Sequence, residues 1–259
     1  MLLAIDIGNT NITIGGIKDD QIVFEARIAT DRIKTSAQYG ADIKNMLILF
    51  DVKVEDIKDC IIASVVPPVF NAVRTGAVKA IGKQPLVVGP GIKTGLNIQV
   101  DNPSQVGSDR IVIAVAALAE YKPPLALMDL GTATTIEIVD ENCTYIGGCI
   151  LPGVRVSLDA LTSRTSQLPG INLDQPKRVI GKNTVDCMRS GIMHGTAAML
   201  EGLVERMEEE LGYKTTVIAT GGIAQFIVPL CKRDIKLERD LLLKGLNIIY
   251  KKNMHEKHK

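Results

Sequence analysis

The sequence predicts an α/β protein made of two related domains, each a mixed sheet with flanking helices. The first observation is an internal repeat. The segment LLAIDIGNTNITIGGIKDDQIV has a counterpart half a chain later, LALMDLGTATTIEIVDENCTYIGG, which aligns Asp6 with Asp129, Gly8 with Gly131 and Asn9 with Thr132. The second is that each copy reads as strand, small polar turn, strand, tight turn and third strand, the pattern of antiparallel hairpins. The tight turns are Lys18-Asp19-Asp20 and Asp140-Glu141-Asn142. The third is that strand and helix signals alternate between and after the copies. A chain of 259 residues, 46% of them hydrophobic, can bury two medium cores. The boundary is expected near Tyr121–Pro124, giving domains 1–121 and 122–259.

Each element follows from local pattern. SAQYGADIKNMLILF places Ala37, Ile43, Met46, Leu47 and Phe50 on one side of a helix. DCIIASVVP is a short apolar strand stopped by Pro67-Pro68, NAVRTGAVKAI a helix, and PLVVG a strand closed by Gly89-Pro90-Gly91. DRIVIAVAALAEY is a helix ended by Pro123-Pro124. After the second hairpin copy come VRVSLDALTSR, a loop through Leu168-Pro169-Gly170, and a long helical region from about Thr184 to Leu211. TTVIATGG is a strand entering a Gly-Gly turn, and the last helix runs roughly from Glu238 to Lys251.

Bulk properties narrow the function. Net charge is +1, aromatic content is 3% and there is no Trp, which argues against a nucleic-acid partner. No apolar stretch reaches membrane-spanning length, so no membrane partner is expected. The five cysteines (Cys60, Cys143, Cys149, Cys187, Cys231) form no CxxC pair and read as small core residues in a reducing, cytoplasmic setting. The basic tail Lys251–Lys259 reads as a solvated end.

An apolar strand that ends in a carboxylate, glycine and hydroxyl residues suits a nucleotide polyphosphate. Glycine lets backbone N–H groups approach phosphate, Asn and Thr side chains add hydrogen bonds, and the carboxylate holds Mg²⁺ through water. Two such loops, one starting at Asp6 and one at Asp129, could grip ATP from both sides. Each loop alone reads rather as an ordinary hairpin turn; their pairing favours phosphate. Gly221 and Gly222 in ATGGIA add a turn through which the backbone could pass close to adenosine. There is no GxxxxGK[ST] segment. In DNPSQVGSDR, Asp109 leads an apolar helix and could simply be its first-turn acid. The same carboxylate could accept a proton from an alcohol during phosphoryl transfer, and Arg110 beside it suits an anionic acceptor.

Duplicated domains with two phosphate hairpins and a Gly-rich turn resemble the actin, hexokinase and Hsp70 ATPases, which are built on ribonuclease H-like domains. The ordered set DIGNTN, GSDR, DLGTATT, GGCILPG, IGKNT and TGG, spanning almost the whole chain, resembles the type III pantothenate kinases more narrowly. That resemblance implies phosphorylation of pantothenate by ATP, the first step of coenzyme A synthesis, in a cytoplasmic homodimer. It implies Mg²⁺ as Mg-ATP and a monovalent cation, K⁺ or NH₄⁺. It implies that Asp6, Ile7, Gly8, Asn9, Thr10, Asn11, Ile12 and Thr13 form the first ATP loop, with Mg²⁺ left to Asp6 through water. Gly107, Ser108, Asp109 and Arg110 would hold pantothenate, and Asp109 would be the base. Asp129 would bind the monovalent cation rather than Mg²⁺, Thr132 would contact ATP, and Thr184 would reach pantothenate from the other subunit. The chain departs from the family pattern at Ser108 (usually Ala), Val100 (usually Tyr, one wall of the acceptor pocket), Glu137 (often Asp) and Leu130 (often Phe).

Other residues read as structural. His194 lacks partners at ligand spacing, Glu208-Glu209-Glu210 is a solvated helix face, and Met188, Met193 and Met199 fill packing gaps. Lys182 lies beside Thr184 with no role assigned by the sequence. The competing functions are a non-catalytic ATP-binding regulator, a kinase for another small alcohol or acid, and a filament.

Overall fold

The computed structural model describes residues 1–254. In chain order the elements are β1 (Leu2–Ile7), β2 (Asn11–Lys18), β3 (Gln21–Ala29), α1 (Ser36–Leu49), β4 (Asp59–Ser64), α2 (Pro67–Ile81), β5 (Leu86–Val87) and β6 (Asn97–Ile98). They continue with α3 (Ser108–Glu120), β7 (Leu125–Leu130), β8 (Ala133–Val139), β9 (Thr144–Pro152), α4 (Val154–Ser163), α5 (Thr184–Leu211), β10 (Thr216–Thr220), α6 (Ala224–Ile227), β11 (Lys236–Leu237) and α7 (Leu241–Met254).

The first compact unit comprises residues 1–96, 101–119 and the described residues from Asp240 on. Its sheet has the order β3-β2-β1-β4-β5, with β1 antiparallel to β2 and parallel to β4. Strand periodicity splits β1 between two cores. Leu3, Ile5 and Ile7 pack with Tyr39, Ile43 and Leu47 of α1 and Val69, Val73 and Ala77 of α2. Leu2 and Ala4 pack on the other face with Val112 and Val115 of α3 and Leu243, Leu246 and Ile249 of α7. Asp6 continues that second row, toward the layer that carries α3.

The second unit comprises residues 97–100 and 120–239. Its sheet runs β11-β10-β7-β8-β9-β6, so β9-β8-β7-β10-β11 repeats the order of the first unit with one short strand added. Here Ala126, Met128 and Leu130 of β7 pack with Met193, Ala197, Leu200 and Val204 of α5. Leu127 and Asp129 therefore belong to the opposite face. The repeat read from sequence is thus a repeat of topology, and Asp6 and Asp129 occupy the same position in corresponding strands.

Several expectations need correction. The linear division at 121/122 is not how the chain partitions. The helix α7 belongs to the first unit, because Leu243, Leu246 and Ile249 complete the apolar layer over β1 and β4. Residues 97–100 join the second unit, where β6 pairs in parallel with β9. Pro67 and Pro68 open α2 rather than merely ending a strand; the first helical turn tolerates a missing N–H. The buried stripe of α1 is Tyr39, Gly40, Ile43 and Leu47, and Ala37 and Phe50 are exposed. Glu208 is not solvated: its side chain is 1% exposed and bonded to Arg233, Lys214 and Thr215. Among the cysteines only Cys60 is buried, while Cys143 and Cys187 are exposed. Lys251 and Lys252 lie in the last turn of α7, and Lys251 pairs with Asp20; the rest of the expected tail, from residue 255, lies outside the described residues. No helix among the described residues is long and apolar enough to cross a membrane.

Candidate active site

In the first unit the chemistry gathers at the C-terminal ends of β1 and β4. Residues 8–10 turn the chain from β1 into β2, and the turn is closed by the Gly8 N–H donating to the Asn11 carbonyl at 3.0 Å. The end of β3 braces it: the Thr30 hydroxyl donates to the Gly8 carbonyl at 2.6 Å, and the Thr30 N–H donates to the Thr10 carbonyl at 2.9 Å. Asn9, Thr10 and Asn11 are exposed, whereas Asp6 is buried. Asp6 is in register with Thr13 on β2 and Ala63 on β4, so the Thr13 hydroxyl shares its face. An oxygen-only set of one carboxylate and one hydroxyl fits a hard cation completed by phosphate oxygens and water.

The GSDR segment is fastened to this same edge. The Ser108 hydroxyl donates to the Ser64 carbonyl at 3.1 Å and accepts from the Ser64 N–H at 3.2 Å. Ser64 ends β4 in register with Ile7, and the Val65 N–H donates to the Ile7 carbonyl at 3.1 Å. The departure at Ser108 is thus a cross-link between α3 and the sheet edge. Asp109 follows at the start of α3, half-buried, with its Oδ1 accepting from the Arg110 N–H at 2.8 Å. A Cβ on Gly107 would come within 2.5 Å of that carboxylate, so a larger residue there would have to displace it. Burial raises the Asp109 pKa above the usual carboxylate range, against the opposing pull of the Arg110 N–H and guanidinium.

In the second unit the β7–β8 turn is closed by the Gly131 N–H donating to the Ala133 carbonyl at 3.0 Å, and Thr132 is exposed at its tip. Asp129 is in register with Thr135 on β8 and Thr220 on β10. The three side chains therefore share one face. The Thr135 hydroxyl oxygen is buried with no hydrogen-bond partner, so a carboxylate and two hydroxyls offer a hard-cation donor set. Among the described residues no cluster of three or more His, Cys, Asp and Glu could hold a metal alone.

The remaining predicted positions are distributed as follows. Gly221, at φ +96°, lies against Asp129 and Leu130, and Gly222 is exposed at the turn. Thr184 is the exposed first residue of α5, whose N-cap Asn183 accepts from the Asp186 N–H at 2.9 Å. Val100 is half-buried in the second unit over Gly147, apart in the chain's partition from the first-unit GSDR. Glu137 is buried and accepts from the Tyr145 hydroxyl, and Leu130 is core. Sequence reasoning missed Thr30, Ser64 and Thr135 as parts of the site; ordinary Ser and Thr in strands carry no local signal. A cavity of about 310 Å³ near the TGG turn is lined by Leu158, Met193, Ile223 and Phe226 among others. A larger one of about 840 Å³ lies at the opposite end of the first sheet, around Met1, Lys18 and Asp59, and contains none of these residues.

Comparison with known proteins identifies the family and the fold. The family described as Type III pantothenate kinase matches residues 2–206. A type III pantothenate kinase of Exiguobacterium sp. (strain ATCC BAA-1283 / AT1b) is 45% identical over 253 residues, covering 98% of this chain and 99% of that protein. Among solved structures, a protein described as a Baf family transcriptional activator from Campylobacter jejuni aligns with a TM-score of 0.62 at 19% identity, covering 98% and 99% of the two chains. Component A of (R)-2-hydroxyglutaryl-CoA dehydratase from Acidaminococcus fermentans aligns with a TM-score of 0.55 at 17% identity, covering 96% of each. These distant structures share the fold alone, two mixed sheets with flanking helices.

Proposed function

The chain belongs to the type III pantothenate kinase family, phosphotransferases that phosphorylate pantothenate in coenzyme A synthesis, and from that premise we propose that Asp109 is its general base. The observation that carries this is the Asp109 carboxylate. It is half-buried, given room by the missing side chain of Gly107, and fixed through Ser108 to the strand end beside the first phosphate loop. A raised carboxylate pKa makes a stronger base. Asp109 takes the proton of the primary hydroxyl as its oxygen bonds to the γ-phosphorus of ATP. The bond to the β-phosphate bridging oxygen breaks and ADP leaves with that electron pair. Arg110 meets the pantothenate carboxylate.

The first loop, Asp6 to Thr13, offers backbone N–H groups to the phosphates, and Thr132 contacts ATP from the second loop. Asp6 would hold Mg²⁺, and Asp129 with Thr135 and Thr220 would hold K⁺ or NH₄⁺. Such cations neutralise the charge that spreads over the transferring phosphoryl group. The cavity lined by Ile223, which follows Gly221-Gly222 in the chain, takes the adenosine. Thr184 reaches pantothenate from the second subunit of a cytoplasmic homodimer. Support for these roles is the match of each position to the family's ordered motifs, together with the donor chemistry on each face.

The deciding measurement is ADP release with Mg-ATP, with and without pantothenate and potassium. A rise that requires both is expected. ATP binding with no pantothenate-dependent rise would overturn the assignment.

A further inference from the structure

We propose that Gly153 and Gly221 are positioning residues that clamp the second phosphate loop from two sides. Gly153 sets Thr132, and Gly221 sets Asp129. The inference rests on the roles given above to Thr132 and Asp129, and it gives a task to the GGCILPG motif, which the reaction itself leaves unused.

Gly153 follows the strand β9 and caps the start of α4. Its N–H donates to the Thr132 carbonyl at 3.1 Å. A Cβ there would stand 2.2 Å from that same oxygen and 2.6 Å from the Gly131 carbonyl. Backbone carbonyls of a closed turn cannot yield as a flexible side chain can, so any larger residue must push the tip of the loop outward. On the other flank, Gly221 leaves β10 at φ +96°, a conformation that L side chains avoid. A Cβ there would stand 2.6 Å from the Asp129 Oδ1 and 2.7 Å from the N and C atoms of Leu130. The turn is further bound to β7 by the Ile223 N–H, which donates to the Leu130 carbonyl at 3.3 Å. The two glycines thus press on different parts of one loop. Gly153 meets only the carbonyls at its tip, whereas Gly221 meets the carboxylate at its root. Gly221 is in consequence a support for Asp129 before it is a contact for adenosine.

The test is a pair of variants with separable readouts. Gly153→Ala should raise KM for ATP about tenfold or more, as expected when a binding group is displaced by a fraction of an ångström or more, with KM for pantothenate little changed. Gly221→Ala should instead raise the potassium concentration needed for half-maximal activity, and reduce the rise in melting temperature that potassium alone confers. A merely structural role would lower melting temperature in both without this split. Gly148→Ala supplies the control: a Cβ there, in the middle of β9, would stand 2.0 Å from the Ile136 carbonyl and away from the loop. Equal kinetics in Gly153→Ala and Gly148→Ala would overturn the proposal. Thr132→Ala is run alongside. A raised KM for ATP in that variant but not in Gly153→Ala overturns the glycine assignment alone. The reverse result supports the clamp acting on the loop backbone and refutes the role of the Thr132 side chain. If the glycine variants fail to fold, amide exchange in the wild-type protein decides. Mg-ATP should slow exchange at Gly153 and potassium should slow it at 220–223, while unchanged rates at both overturn the proposal.

Discussion

At the scale of single residues, the chemistry is expensive to keep. Burying Asp109 favours its neutral form, so its charge is a cost to the fold at neutral pH. A carboxyl with a raised folded pKa contributes stability that is complete below its unfolded pKa and is lost as pH rises through the folded pKa. Asp109→Asn should therefore melt at a higher temperature than wild type at neutral pH, while turnover falls by about 10²–10⁴ and ATP affinity is retained. Calorimetry and steady-state kinetics on one preparation check both halves, and near-normal turnover would remove Asp109 from its role. The acidic limb of kcat/KM, which reports the free enzyme, should lie above the pH of an ordinary carboxylate for the same reason. Ser108 is a second case. Its hydroxyl is fully used on the Ser64 backbone, so Ser108→Ala should cost about 1 kcal/mol of stability in a urea melt. Ser108 was legible as part of GSDR, but its partner was not, because Ser64 is 44 residues away in sequence.

At the scale of elements, the long helix α5 shows how a polar residue can be misread from its neighbours. Glu208 sits among exposed acids, yet the chain from α5 to β10 folds back over it. The Thr215 N–H donates to it at 2.8 Å, Lys214 pairs with it at 2.9 Å, and Arg233 closes the cluster. Burial alone would raise its pKa, but these donors outweigh burial and hold it down at about 2. Its contribution is thus complete above the ordinary carboxylate range and is lost as pH falls toward about 2. Glu208→Gln should destabilise the protein by about 3 kcal/mol, since it leaves Arg233 facing a neutral partner. Urea melts from neutral to acid should show the gap between variant and wild type closing. Hydrophobic periodicity placed α5 correctly and could not see this, because Arg233 lies beyond the next strand.

At the scale of the whole molecule, the two units repeat one sheet order, but the chain is not cut in two between them. The helix α7 returns to the first unit and covers Leu2 and Ala4 of β1. A fragment of residues 1–121 should therefore expose an apolar sheet face and fail to fold, whereas adding residues 240–259 through a flexible linker should restore cooperative melting by circular dichroism. Cooperative folding of 1–121 alone would show that α7 is dispensable to this core.

The sequence by itself determined the repeat, the hairpins, the α/β class and the positions of Asp6, Asp109 and Asp129, because these depend on short-range periodicity and on turn chemistry that recurs in order. Tertiary structure alone decided that Asp6 faces the α3 layer, that Thr135 and Thr220 flank Asp129, that Gly153 and Gly221 press on one loop, and that α7 belongs to the first unit. Each of these is a contact between segments distant in the chain. Such contacts are set by strand register and by which apolar face must be covered, and neither is written in any local stretch of residues.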